Sequence, residues 1–207
     1  MTQTLQARNI TLRDLIDQFG LQEVQDDDFF WEWRSQLPDL SEADKWFLDQ
    51  AKAAFFNHLK YPPLLEKVVQ VTLLSPLLFL GGFFLPPFHI QAEKSVEISK
   101  DDDGVIIRGQ LDFILLKNDL WVVVIESKQA EFSVEAGLSQ LLAYMMSSPN
   151  AEKPVFGLVI AGGSFLFTKL VRFPVPQYAT SDEFKLRNRS ENELYEVLRI
   201  LKRLAQF

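Results

Sequence analysis

At 207 residues, with 47% hydrophobic residues and 18 phenylalanines, the chain is long enough for one substantial core and too apolar for disorder to dominate. It has no cysteine, which excludes a disulfide framework and a thiolate metal site. The formal net charge of −7 argues against a long electrostatic grip on nucleic acid, yet residues 169–207 hold 8 Lys/Arg against 5 Asp/Glu, so a local basic surface stays open there.

The start of the chain lacks the apolar stretch of a secretory signal, and a cytoplasmic location is expected. Residues 1–60 read as an acidic, helical N-terminal extension ahead of one α/β domain over 61–207. Ser41 with Asp44 three positions on forms a capping pair, and the helix that follows groups Trp46, Leu48, Ala51, Phe55 and Leu59 on one side. Asp26 to Asp28 read as a solvated loop, because consecutive residues share no face. A second helix is predicted over Pro63–Leu74, with Glu66 and Gln70 stacked four apart. The uncharged segment Val68–Ala92 has the length to span a bilayer, but Pro76, Gly81, Gly82, Pro86 and Pro87 interrupt it. It reads as a buried helix and core loop, with no membrane partner.

From Phe88 the period changes to two: Phe88, Ile90, Ala92, Val96 and Ile98 alternate with polar residues, which predicts a half-exposed strand ending at an Asp103-Gly104 turn. Strands follow at Val105–Leu116 and Leu120–Lys128, joined by a short turn at Lys117–Asp119. Ser133 opens a helix to about Met146, and two more strands, Val155–Ala161 and Phe165–Arg172, flank Gly162-Gly163. A closing helix over Glu191–Ala205 buries Leu194, Val197, Leu198, Leu201 and Leu204, leaving Arg199, Lys202 and Arg203 on a solvated face.

The chemistry concentrates where Trp121–Ile125, a buried strand, ends on Glu126 and Lys128. Alternation puts those two on one face with Val122 and Val124, and it groups Arg108, Gln110 and Asp112 on one side of the preceding strand, with Gly109 opposite. Antiparallel pairing brings Asp112 beside Glu126. Two carboxylates that cannot neutralise one another call for a cation, and oxygen ligands select Mg²⁺ or Mn²⁺ over zinc. A lysine beside such an ion suits phosphodiester hydrolysis. The alternative is a structural salt bridge. His58 and His89 form neither a ligand spacing nor a triad and read as structural.

The spacing Asp112, Glu126, Ser127, Lys128 resembles the PD-(D/E)XK signature of restriction-endonuclease-like nucleases, with Leu111 in place of the name-giving proline. "GQLDFILL", "VVVIESK" and "LSQLLAYM" look like the N-terminal nuclease domain of type I restriction R subunits and its stand-alone bacterial, notably cyanobacterial, relatives, over about Pro63–Phe173. The resemblance implies a restriction-endonuclease-like αβββαβ core with a mixed central sheet flanked by helices. It implies a Mg²⁺- or Mn²⁺-dependent DNA endonuclease, with Asp112, Glu126 and Glu66 at the metal, Lys128 positioning water, and Gln140 of a Gln140/Tyr144 pair orienting water or phosphate. Glu66 as an exposed helical glutamate, and Gln140 as a cap on a strand carbonyl, are the plainer alternatives. DNA is the implied partner; a homodimer would serve both strands of a duplex. No phosphate-binding loop of the motor type is present, so translocation would fall to a separate motor or specificity subunit. The rival reading is a non-catalytic or partner-dependent module that keeps the acidic site.

Overall fold

The structure, a computed structural model, describes residues 3–100, 105–129, 132–189 and 191–207. Residues 3–60 contribute strands as well as helices: β1 (Gln3–Gln6) and β2 (Gln22–Glu23) enter the sheet. Between them, α1 (Leu12–Phe19) opens on a capping box in which Thr11 and Asp14 satisfy each other's backbone N–H. Ser41 and Asp44 form the same box for α2 (Glu42–His58), as their spacing predicts. Leu48, Ala51 and Phe55 of α2 are buried, whereas Trp46 is 64% exposed. Trp46 precedes Leu48 by two positions, about 200° around the helix, and so cannot share its face.

α3 (Glu66–Val69), a π turn (Gln70–Leu74) and α4 (Ser75–Leu80) run on as one helical segment straight through Pro76. The sequence reading ends the helix before that proline. The wide turn resolves the conflict, because Pro76 then falls at the start of α4, where a missing N–H costs little, and Ser75 Oγ donates to the Gln70 carbonyl at 3.1 Å. The segment is also not buried throughout: Leu73, Leu74, Leu77 and Leu78 are, but Val71, Phe79, Phe84 and Leu85 are more than half exposed. No helix among the described residues is long and apolar enough to cross a membrane.

β3 (Phe88–Lys100), β4 (Val105–Lys117) and β5 (Leu120–Lys128) form an antiparallel meander. The β4–β5 hairpin turns at Asn118 and Asp119, both at positive φ, as a type I′ turn requires. The expected turn at Asp103-Gly104 lies outside the described residues. α5 (Val134–Met146) then crosses to β6 (Val155–Ala161), parallel to β5, and β7 (Ser164–Val171) returns antiparallel. Ser133 holds the N-cap position of α5 without a side-chain capping bond. An unanticipated strand, β8 (Gln177–Lys185), precedes α6 (Leu194–Leu204). Its polar sequence conceals it, since Ser181 is a buried position whose hydroxyl accepts from the Phe167 N–H at 3.0 Å.

Among the described residues the result is an α/β molecule with one eight-stranded mixed sheet. β3 takes one edge of β4; β1 and β5 share the other, followed by β6, β7, β8 and β2. One core lies between the sheet and α2, the π turn, α4 and α6, the other between the sheet and α5 with Leu15 of α1. α6 buries the leucines its period predicts, but its basic residues are not a solvated face. Arg199 donates to the carbonyls of Leu37 and Pro38 at 3.3 and 2.9 Å, and Arg203, 9% exposed, lies over the Phe207 and Trp31 rings at 4.8 and 5.3 Å. The segment after β2 covers that face, so it offers no phosphate surface.

A second anchor of that segment is buried: Lys169 Nζ, on β7, bonds Glu32 Oε1 at 2.6 Å and the Phe29 carbonyl at 2.7 Å. Removing one charge of a buried pair strands the other. Lys169→Met is therefore expected to lower the unfolding free energy by about 3 kcal/mol, measured by urea denaturation, and Lys169→Met with Glu32→Leu to recover most of the loss.

Candidate active site

The alternation along β4 slips at Asp112. Ile107 and Leu111 pack in the core beneath α5, and so do Ile114 and Leu116, while Phe113 and Leu115 pack in the opposite core. β3 slips with it: Glu93, opposite Asp112, takes φ 53° and drops out of a ladder that otherwise pairs Phe88–Lys100 with Val105–Lys117. On its other edge β4 parts from β5, whose last ladder pair is Phe113 with Ile125. Asp112 thus stands at a gap in the sheet on both sides.

Its carboxylate fills that gap. Oδ2 accepts from the Ser127 N–H at 2.7 Å, a bond a strand carbonyl would otherwise take, and from the Ser127 hydroxyl at 2.6 Å. Ser127 faces the α3 side, where Gln70 Nε2 donates to its oxygen at 2.6 Å and to Glu66 Oε1 at 2.9 Å. Glu66 lies 3.4 Å from the same hydroxyl. Burial raises the Glu66 carboxyl above its ordinary value, and the Asp112 charge adds to the shift. Gln70 opens the π turn, whose extra residue re-aims the side chains that follow it.

Glu126 and Lys128 point the other way, toward α5. Lys128 Nζ bonds Glu126 Oε1 and Gln140 Oε1, each at 2.7 Å. Gln140 Nε2 donates to the Tyr144 hydroxyl at 2.7 Å, which in turn donates to the Gln110 carbonyl at 2.9 Å. Gly109 makes this chain possible, because a Cβ there would stand 2.7 Å from the Tyr144 ring and 2.6 Å from Ala7. The glycine therefore admits a ring and a methyl group rather than a neighbouring backbone. Val122, expected to share the Glu126 face, falls at an irregularity of the β4–β5 register and packs in the opposite core.

Glu126 is 2% exposed, and burial pushes its carboxyl up to about 8; the Asp112 charge adds to the rise and Lys128 offsets part of it. Its Oε2 is buried with no hydrogen-bond partner. The structure thus gathers Asp112, Glu126, Lys128, Glu66 and Gln140 where the β4–β5 ladder ends, between the helical segment at α3 and α5. Sequence reasoning passed over Ser127, which joins Asp112 to Glu66, and gave Gln70 no role. The signal for Gln70 was its position one helical turn after Glu66; for Ser127 there was only its place between two charged residues.

A hard divalent cation fits this donor set in kind. Every charged ligand is a carboxylate oxygen, one of them orphaned; burial and the Asp112 charge both raise the Glu126 carboxyl, and Lys128 offsets only part of that rise. Among the described residues no three such side chains converge as a ligand group, so Asp112 and Glu126 are the candidate pair and Glu66 joins through Ser127. In comparisons with known proteins, the chain matches no family model and no curated protein.

The unfolded chain releases the Glu126 proton near 4.5 and the folded chain holds it to about 8. Across that window the unfolded state binds fewer protons, so stability falls as pH rises. Urea denaturation without divalent ions is expected to show this decline between pH 5 and 8, and Glu126→Gln to flatten it by up to about 1.4 kcal/mol per pH unit.

Proposed function

We propose that the chain is a metal-dependent phosphodiesterase, and specifically a DNA endonuclease of the restriction-endonuclease-like kind. The observation that carries the reading is the buried Glu126, with its unpartnered Oε2, held beside Asp112 and Lys128 where β4 and β5 part. Burying that carboxylate is costly unless a ligand uses it. The order of helix, three antiparallel strands, helix and parallel strand from α4 to β6 also supports the reading.

Asp112 and Glu126 would hold Mg²⁺ or Mn²⁺. When bound, such an ion withdraws charge from a phosphate and acidifies water. The rest falls to the chain's own groups. Lys128 presents its ammonium to the attacking water and the phosphate, and Gln140, fixed by Tyr144, keeps that ammonium from swinging away. Ser127 and Gln70 hold the Asp112 and Glu66 carboxylates in place, so little reorganisation is left for the moment of reaction.

The test is cleavage of supercoiled plasmid and of single-stranded DNA with Mg²⁺ or Mn²⁺. Wild type is expected to nick in a metal-dependent manner, and Lys128→Ala and Asp112→Asn to lose about 10²- to 10³-fold or more in rate. Metal binding by calorimetry without turnover on either substrate would instead favour the partner-dependent module.

A further inference from the structure

We propose that a cleft beside the active site holds an unpaired nucleotide, so that the substrate carries a single-stranded segment; this deepens the nuclease reading and rests on it. The cleft lies where β6 ends at Ala161, β7 begins at Ser164 and β8 ends at Lys185, one row across from Lys128. The Gly162 N–H reaches the Lys128 carbonyl at 3.4 Å, and the Phe132 N–H donates to the Gln129 carbonyl at 3.1 Å. Its volume is about 210 Å³. That is below the roughly 300–1,000 Å³ of sites that enclose a drug-sized ligand, and it suits a single planar ring system.

Its walls are chemically divided. Phe132, 52% exposed, and Leu59 line it together with Phe55 and Gly163, where an added Cβ would stand 3.0 Å from the Phe55 ring. Lys185 and Arg187 form the rim. Lys128 pairs with Ala161, Ala161 with Ser164 and Ser164 with Lys185, so the two lysines occupy one row of the sheet. Three strand spacings separate them by roughly 14 Å. Lys185 is shared with Glu183 at 2.7 Å, which leaves Arg187 as the stronger phosphate donor.

Arg187 is also the wall common to a second, wider cleft of about 810 Å³ that carries Lys52 and Arg189. Lys52, Arg187 and Arg189 thus outnumber Asp49 and Glu191 in the lining of that wider cleft. Asp49, on the same wall, is occupied by Asn192 and Tyr195, which donate to it at 2.9 and 2.7 Å. An aromatic face inside a cleft reaches a base only when that base is unstacked and unpaired. Stacking with a cationic rim is the chemistry of single-strand binding, whereas a duplex would offer the same cations its backbone and leave Phe132 unused.

The experiment is fluorescence anisotropy with labelled oligonucleotides, in EDTA so that no hydrolysis intervenes, comparing a single strand with a blunt duplex of the same length. The wild-type chain is expected to prefer the single strand. Phe132→Ala is expected to weaken that complex about 10- to 100-fold while leaving duplex binding unchanged. Arg187→Ala is expected to weaken it and to reduce the salt slope by about 0.7. Equal binding of duplex and single strand, or an unchanged single-strand affinity in Phe132→Ala, would overturn the inference. Hydrolysis by wild type, followed on the same oligonucleotides with Mn²⁺, separates the two readings. Cleavage indifferent to Phe132 sinks this inference alone; Phe132-dependent binding with no cleavage under any divalent ion sinks the nuclease and leaves the strand site standing.

Discussion

The bond from the Ser127 N–H to Asp112 Oδ2 is the interaction on which the rest of the site depends. A strand N–H normally finds a carbonyl across the ladder, and a buried one left unpaired is costly. By substituting a side-chain carboxylate for that carbonyl, the chain ends the β4–β5 ladder without orphaning the donor, and it fixes a negative charge at the point where the strands part. Opposite Asp112 on the other edge of β4, Glu93 adopts a backbone conformation unusual for a side-chain-bearing residue. Strain of this kind persists only where its surroundings over-determine it.

Once Asp112 is in place, the charges on β5 follow. Glu126 sits one residue before Ser127 and is forced toward α5, beside a core whose members include Val124, Leu141 and Tyr144. Among the described residues Lys128 is the cation that bonds it, and Lys128 is itself committed to Gln140. A buried ion pair stabilises little against a well-packed apolar isostere, so stability alone gives no reason to keep it. Among the described residues Glu126 Oε2 is left without a partner, as is Glu32 Oε2 in its pair with Lys169; what sets Glu126 apart is the Asp112 charge that raises its carboxyl further.

Much of this was legible in the sequence, and for stated reasons. A run of five apolar residues ending in two charges marks a strand that leaves the core, and Asn118 with Asp119 marks the hairpin that sets the β4–β5 register. The capping box at Ser41, the meander, α5 and β6 all have strong local signals. What escaped has no local signal. β8 is polar because its buried serine is satisfied by a neighbouring strand, and α6 looks amphipathic because the residues that cover its arginines lie more than 150 positions earlier in the chain. The slip at Asp112 escaped for the same reason: strict alternation assigns Arg108, Gln110 and Asp112 correctly to one side, and then fails at Phe113, where two consecutive residues share a face.

That failure of alternation is what lets one site use both layers of the molecule. In an unbroken strand pair, Ser127 and Glu126 would present to opposite cores and have no common neighbour. With the ladder open, Asp112 bonds Ser127 on the α3 side and still lies close enough to Glu126 to raise its carboxyl, so the helical segment holding Glu66 and Gln70 and the helix holding Gln140 meet at one electrostatic centre. Their positions are therefore coupled. Gln70 of the π turn reaches the Ser127 hydroxyl that donates to Asp112, and the Asp112 charge is in turn felt by Glu126 across the sheet. The two helices have no need to touch, because the carboxylates at the strand ends already connect them.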